Sequence, residues 1–119
     1  MFNDTNRTLS LDSLVSTHPI EVDVHHPDEV AEIFDVISYS KGSAVIRMLE
    51  QYMGPECFRK GMVSYLNKYK YRNTSTDDLW AALAETSRKP IAETMNAWTR
   101  QEGFPVITIE GQEKQDSKL

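Results

Sequence analysis

The segment SYSKG, residues 38–42, places a phenol, an amine and two hydroxyls inside an otherwise apolar helical pattern. Apolar residues recur at helical spacing on both sides of it, in residues 30–37 and again in residues 45–52. Two explanations fit this interruption. Either Gly42 permits close packing between helices, or the hydroxyl of Tyr39 has a chemical role.

The three histidines of the chain, His18, His25 and His26, are the first candidates for metal ligands. A helical zinc-peptidase site uses the pattern H-E-x-x-H, because two imidazoles one turn apart project from the same face. The stretch HHPDE lacks that spacing, and Pro27 does not fit inside a helix that would carry both ligands. We therefore interpret all three as solvated loop histidines and predict no metal site.

Other reactive side chains also fit structural roles. The chain contains no G-x-S-x-G elbow and no glycine-rich phosphate loop. Asp77 and Asp78 follow a predicted helix start, where carboxylates interact favourably with the helix dipole, so we do not interpret them as an acid/base pair. Cys57, Trp80 and Trp98 lie on apolar helical faces and are predicted to pack in the core.

The charge of the chain argues against one class of partner. The 119 residues carry a formal charge of -5, with a pI near 5.1, and nucleic-acid phosphates need a basic face. No apolar run approaches the roughly 20 residues of a membrane-spanning helix. The first ten residues lack the charged and apolar regions of a signal peptide. A cytoplasmic protein that binds no nucleic acid is the resulting expectation.

The periodicity predicts four or five helices and short β-type segments at both ends. Residues 1–10 are polar and are predicted to be irregular, whereas residues 20–24 and 104–110 alternate as strands do. The predicted helix boundaries are Pro27, Gly54, Pro55, Ser75 or Thr76, Pro90 and Gly103. The expected fold class is therefore mainly α.

Five segments occur in the order that one family shows: LDSLVSTHPIEVDV, HPDEVAEIFDVISYSKGSAVIRML, FRKGMVSYL, STDDLWAAL and WTRQEGFPV. In this order the chain resembles the zinc aminopeptidases of the gluzincin type. The nearest branch looks like puromycin-sensitive aminopeptidase. The likeness covers residues 7–109.

The resemblance implies a fragment of a thermolysin-like catalytic domain. Residues 1–103 would be its helical C-terminal portion, and residues 104–119 the start of a following β-type segment with a polar tail. In the family, H-E-x-x-H and a downstream glutamate hold zinc, and a G-x-M-E-N segment binds the substrate's amino terminus. This chain contains neither motif. We therefore expect the chain alone to bind no zinc and to be inactive.

The resemblance also assigns roles to particular residues. Tyr39 matches the tyrosine whose hydroxyl hydrogen-bonds the oxyanion that forms at the scissile carbonyl. Phe34 matches an aromatic position near the pocket for the substrate's first side chain, although simple core packing is an equal alternative. Gly42 and the small residues after it would let the helix pack close to its neighbours.

Three functions remain open from the sequence. The first is a fragment of a zinc aminopeptidase that removes amino-terminal residues from peptides. The second is a non-catalytic truncated paralogue or partial gene product that acts as a protein-interaction module, and the third is an unrelated helical adaptor. In the fragment, an apolar face would be exposed and would favour self-association. The predicted members of that face are Ile33, Phe34, Ile37 and Val45.

Overall fold

The fold, taken from a computed structural model that describes residues 2–31 and 34–111, is built from helices. Five of them are α-helices: α1 (Phe2–Asp12), α2 (Gly42–Met53), α3 (Pro55–Tyr69), α4 (Thr76–Ser87) and α5 (Ile91–Thr99). A 3₁₀ helix (Pro27–Ala31) and a π-helix (Ile37–Lys41) lie between α1 and α2. The prediction of a mainly α fold is confirmed.

Local sequence signals account for the helix boundaries in the second half of the chain. Gly54 has a φ of +85°, which ends α2, and Pro55 is the first residue of α3. Ser75 caps α4 through a capping box in which its hydroxyl accepts from the N–H of Asp78. The Asp78 carboxylate in turn accepts from the N–H of Ser75 at 2.9 Å. The prediction that Asp78 is a helix-start residue is confirmed.

Helix α1 begins at Phe2, whereas the sequence predicted residues 1–10 to be irregular. Tertiary contacts explain the difference, because α1 packs against the π-helix. Thr8 and Asp12 are buried at 3% and 2% exposure, although both are polar. Packing against a neighbour therefore stabilises a helix that its own apolar content does not predict.

The two β-type runs form no strand in the part of the chain that the structure describes. A strand requires a neighbour that pairs with its N–H and C=O groups, and neither run has one there. In residues 104–110, the side chains of Val106, Ile107 and Ile109 are almost fully exposed. Residues 112–119 of the predicted tail lie outside the described residues, and the boundary at residue 103 stays a prediction.

The hydrophobic core joins α2, α4 and α5, with α3 packed on its side. Its buried members are Val45, Leu49, Met53, Trp80, Leu83, Ile91 and Met95. Cys57 and Trp98 are partly buried and pack against this core. The prediction that Cys57, Trp80 and Trp98 are packing residues is confirmed.

The predicted apolar face is largely internal to the chain. Ile37 and Val45 are each only 5% exposed, so the prediction that they form an open face is wrong. The reason is that α1 packs on the π-helix that carries Ile37, while Val45 belongs to the core. Phe34 alone of the described members is exposed, at 62%, and Ile33 lies outside the described residues.

The close approach between helices lies at Gly61 of α3, which faces α4, and not at Gly42 of α2. A Cβ atom at Gly61 would lie 2.7 Å from Cδ2 of Leu83 and 3.5 Å from Oγ1 of Thr86. A Cβ atom at Gly42 would meet nothing within 4 Å among the residues that the structure describes. The prediction that Gly42 permits close helix packing is therefore wrong, which leaves the tyrosine as the feature of SYSKG to be explained.

We expect Gly61→Ala to destabilise the chain by about 1–3 kcal/mol, because Leu83 is fully enclosed and cannot move away from the new methyl group. Gly42→Ala is the matched control. Its methyl group has space, and alanine is favoured over glycine in a helix by roughly 0.5–1 kcal/mol. Urea unfolding followed by circular dichroism measures both. Equal stability of the two variants would contradict the close packing of α3 against α4 at Gly61.

Candidate active site

Tyr39 lies on the π-helix Ile37–Lys41, which runs directly into α2 and is called the Tyr39 turn below. The N–H of Gly42 donates to the carbonyl oxygens of Ile37 and Tyr39. A π-turn contains one more residue than an α-turn, and such turns are frequent at functional sites.

The side chain of Tyr39 faces outward. It is 60% exposed, and no residue among 6–30 and 34–111 forms a hydrogen bond with its hydroxyl. The ring of Phe34 lies beside it, with the two ring centroids 6.0 Å apart and the planes inclined by 33°. The structure therefore brings the two predicted site residues together. Because Phe34 is exposed, it is not a core residue of this chain.

Asp35 anchors the Tyr39 turn from its N-terminal side. Its Oδ1 accepts from the N–H of Ser38 at 2.9 Å, and its main-chain oxygen accepts from the N–H of Tyr39 at 3.1 Å. Its Oδ2 lies 2.6 Å from Nε2 of His18, whose Nδ1 lies 2.7 Å from the carbonyl oxygen of Pro19. One side chain thus connects the turn to the loop that follows α1.

Both members of this pair have shifted pKa values. The hydrogen bonds to the Pro19 carbonyl and the Asp35 carboxylate raise the pKa of His18 above its ordinary 6.5. Burial works against ionisation of Asp35, but the hydrogen bonds from Ser38 and His18 outweigh it and lower the pKa of Asp35 below 3.8. Both shifts favour the charged forms.

A buried ion pair anchors the turn from its C-terminal side. Nζ of Lys41 lies 2.9 Å from Oδ2 of Asp12, and the two side chains are only 6% and 1% exposed. The same Nζ donates to the carbonyl oxygen of Gly103 at 2.8 Å. Oδ1 of Asp12 accepts from the hydroxyl of Thr17 at 2.8 Å and from the N–H of Gly103 at 3.3 Å. The ion pair therefore ties α1, the turn and the segment after α5 together.

The histidines differ from the sequence interpretation in one case. His18 is only 28% exposed and both of its ring nitrogens have partners, so its interpretation as a solvated loop residue is wrong. It was missed because its partner, Asp35, is 17 residues away in the sequence. His25 and His26 are exposed.

The described residues do not supply a ligand set for zinc. No group of three or more His, Cys, Asp or Glu in that part of the chain is placed to hold a metal ion. The contacts that the structure gives to Tyr39 and Asp35 are a ring contact with Phe34 and hydrogen bonds with Ser38 and His18. None of the helices in residues 2–31 and 34–111 is long and apolar enough to cross a membrane.

A cavity of about 110 Å³ lies beside the ion pair, between α1 and α2. Its walls include Ser40, Lys41 and Asp12, but neither Phe34 nor Tyr39. It is therefore separate from the surface on which the exposed Tyr39 and Phe34 rings meet.

The comparisons with known proteins identify the family. The model of the peptidase family M1 domain matches residues 1–98. The chain is 52% identical over 107 residues to aminopeptidase M1-C of Oryza sativa subsp. japonica and 55% identical over 100 residues to human glutamyl aminopeptidase. It is 52% identical over 107 residues to alanine/arginine aminopeptidase of Saccharomyces cerevisiae. The chain belongs to peptidase family M1.

The matches cover most of this chain but a small part of each relative. The match to the rice protein covers 90% of this chain and 12% of the relative, and the match to the yeast protein covers the same shares. The match to the human protein covers 84% of this chain and 10% of the relative. They establish the family and no branch within it. The nearness to puromycin-sensitive aminopeptidase stays a prediction.

Proposed function

We propose that the chain is the tyrosine-bearing part of a zinc aminopeptidase catalytic domain, and that the whole protein removes amino-terminal residues from peptides. The observation that carries this proposal is the state of Tyr39. Its phenol is exposed, its hydroxyl has no partner among residues 6–30 and 34–111, and its turn is anchored on both sides. The family membership supports the proposal.

In this role the Tyr39 hydroxyl donates a hydrogen bond to the oxyanion that develops on the scissile carbonyl. A phenolic O–H can donate one hydrogen bond. The donor is effective because its position is fixed before the charge develops, so little reorganisation is needed. The exposed ring of Phe34, next to Tyr39, provides an apolar wall for the substrate's first side chain.

Zinc, when bound, would act as a Lewis acid on the substrate carbonyl. The residues described here do not hold it, so its ligands would come from elsewhere in the whole protein. A cytoplasmic location is likewise part of the proposal. One relative, of Saccharomyces cerevisiae, is named as mitochondrial, so family membership does not decide the compartment.

Grafting tests the proposal. Residues 7–109 would replace the matching segment of the yeast alanine/arginine aminopeptidase, to which the chain is 52% identical. We expect this chimera to hydrolyse aminoacyl chromogenic amides within about tenfold of the unmodified host, a difference of about 1.4 kcal/mol in barrier. The 119-residue chain alone should show no hydrolysis above background.

The zinc content of the chimera separates two causes of failure. A folded chimera with the host's zinc content but no activity would contradict the proposal and would favour a non-catalytic paralogue. Activity in the isolated chain that persists through purification would contradict the assignment of the zinc ligands to other residues.

A further inference from the structure

We propose that His18 and Asp35 act as a positioning pair for Tyr39, holding the Tyr39 turn in place through both the side chain and the main chain of Asp35. The importance of this pair for catalysis rests on the proposed function. The geometry of the pair stands independently of it.

The first step of the argument is the bonding of the turn. The first N–H groups of a helix have no partner within the helix and must find one elsewhere. Asp35 supplies two successive partners, since its carboxylate accepts from Ser38 and its carbonyl oxygen accepts from Tyr39. A displacement of Asp35 therefore moves the backbone of Tyr39 directly.

The second step is the contact that fixes Asp35. Oδ1 of Asp35 is used by Ser38, which leaves Oδ2 for the short 2.6 Å contact with His18. His18 is held in turn at its other nitrogen by the carbonyl oxygen of Pro19. The side chain of Asp35 is therefore held at both oxygens, and its orientation is fixed by a residue outside the turn.

The third step is the protonation state. A carbonyl oxygen and an ionised carboxylate are both acceptors, so both ring nitrogens of His18 must donate. Only the imidazolium form has two N–H groups. Among the residues that the structure describes, the charged groups that act on His18 are Asp35 and, more weakly, Asp12 of α1, which Lys41 pairs at 2.9 Å. The pair is therefore complete only while His18 is protonated.

The pH range follows from the two shifts. The contribution of His18, whose pKa is raised, is complete below pH 6.5 and is lost as the pH rises through its folded-state pKa. The contribution of Asp35, whose pKa is lowered, is present above pH 3.8 and is lost as the pH falls through its folded-state pKa. The Tyr39 turn is thus held best between pH 3.8 and pH 6.5, where both His18 and Asp35 are charged.

The test compares amide exchange and histidine titration in the 119-residue chain by NMR. In Asp35→Asn we expect the Ser38 and Tyr39 amides to exchange about tenfold faster at pH 5.5, because the oxygen that accepts from the Ser38 N–H no longer carries a charge and the charge-assisted contact with His18 is lost. The amides of Val45 and Leu49 in the core should be unchanged. The titration midpoint of His18 should lie above 6.5 in the parent chain and fall in this variant.

His18→Gln is the second, conservative variant, and His26→Gln is its matched control. His26 also lies near a carboxylate, with Nδ1 3.3 Å from Oδ2 of Asp28, but these two side chains are 65% and 93% exposed. We expect His18→Gln to speed exchange at Ser38 and Tyr39 and His26→Gln to leave it unchanged. Unchanged exchange in both Asp35→Asn and His18→Gln would overturn the proposal.

The yeast chimera supplies a functional readout that a merely structural role would not give. Asp35→Asn should lower kcat and change KM by no more than about twofold. In the parent chimera, kcat should fall as the pH rises and His18 loses its proton. In His18→Gln this pH-dependent fall in kcat should be absent. An inactive chimera together with the predicted exchange would contradict the proposed function and leave the positioning pair supported. An active chimera whose kcat and pH profile do not respond to either variant would contradict the positioning role.

Discussion

Tyr39→Phe in the yeast chimera is expected to lower kcat by about 10²–10³-fold, the usual cost of losing one oxyanion donor. The substitution removes one hydroxyl and keeps the ring that packs beside Phe34 at 6.0 Å. Because the hydrogen bond strengthens only as charge develops in the transition state, KM should change much less than kcat. Steady-state kinetics with an aminoacyl amide, together with zinc analysis, measure the effect.

Tyr71→Phe provides the matched control for the loss of a phenolic hydroxyl. Tyr71 is fully exposed in the loop after α3, away from the Tyr39 turn in the sequence. Its variant should keep kcat within about twofold of the parent chimera, as expected for a surface substitution. If Tyr39→Phe behaves in the same way while zinc is retained, Tyr39 has a structural role and the site assignment is wrong.

Lys41→Met is expected to destabilise the chain by about 3–5 kcal/mol, the range for breaking a buried pair from one side. The variant leaves the carboxylate of Asp12, which is only 1% exposed, without its counter-ion. A whole domain is stable by only about 5–15 kcal/mol, so the loss is a large fraction of the total. Urea unfolding followed by circular dichroism measures it.

Two further variants separate this effect from a general loss of side-chain packing. Asp12→Asn combined with Lys41→Met removes both charges and keeps an oxygen that accepts from Thr17 and Gly103. We expect this double variant to be more stable than Lys41→Met alone, by about 0.5–3 kcal/mol. Lys60→Met, at an exposed lysine of α3, should change stability by less than about 0.5 kcal/mol. A Lys41→Met protein as stable as Lys60→Met would show that the pair is solvated.

The features that the sequence predicted correctly are local ones. The boundary at Gly54 and Pro55 and the helix start, predicted at Ser75 or Thr76, depend on signals within a few residues. The structure places the cap at Ser75. The Tyr39 turn lies where the apolar rhythm of the sequence is interrupted. The mainly α class follows from these same periodic patterns.

The features that were missed depend on partners far apart in the chain. Helix α1 forms because it packs against the Tyr39 turn, and its own residues carry no strong helical signal. Lys41 contacts Gly103, which is 62 residues away, and no local pattern predicts such a pair. The spacing of Asp35 three residues before Ser38 is the one available signal, since aspartate at this spacing accepts from the N–H of a helix start.

The central claim is that the Tyr39 hydroxyl donates a hydrogen bond to the oxyanion. The most direct test measures whether this hydroxyl stabilises the transition state more than the bound substrate. The chimera and its Tyr39→Phe variant would be titrated with a phosphinic peptide, whose tetrahedral anionic group resembles the transition state. We predict that the inhibition constant rises by the same factor by which kcat/KM falls, on the order of 10²–10³. An inhibition constant that is unchanged while kcat/KM falls would show that Tyr39 does not contact the oxyanion, and would contradict the account.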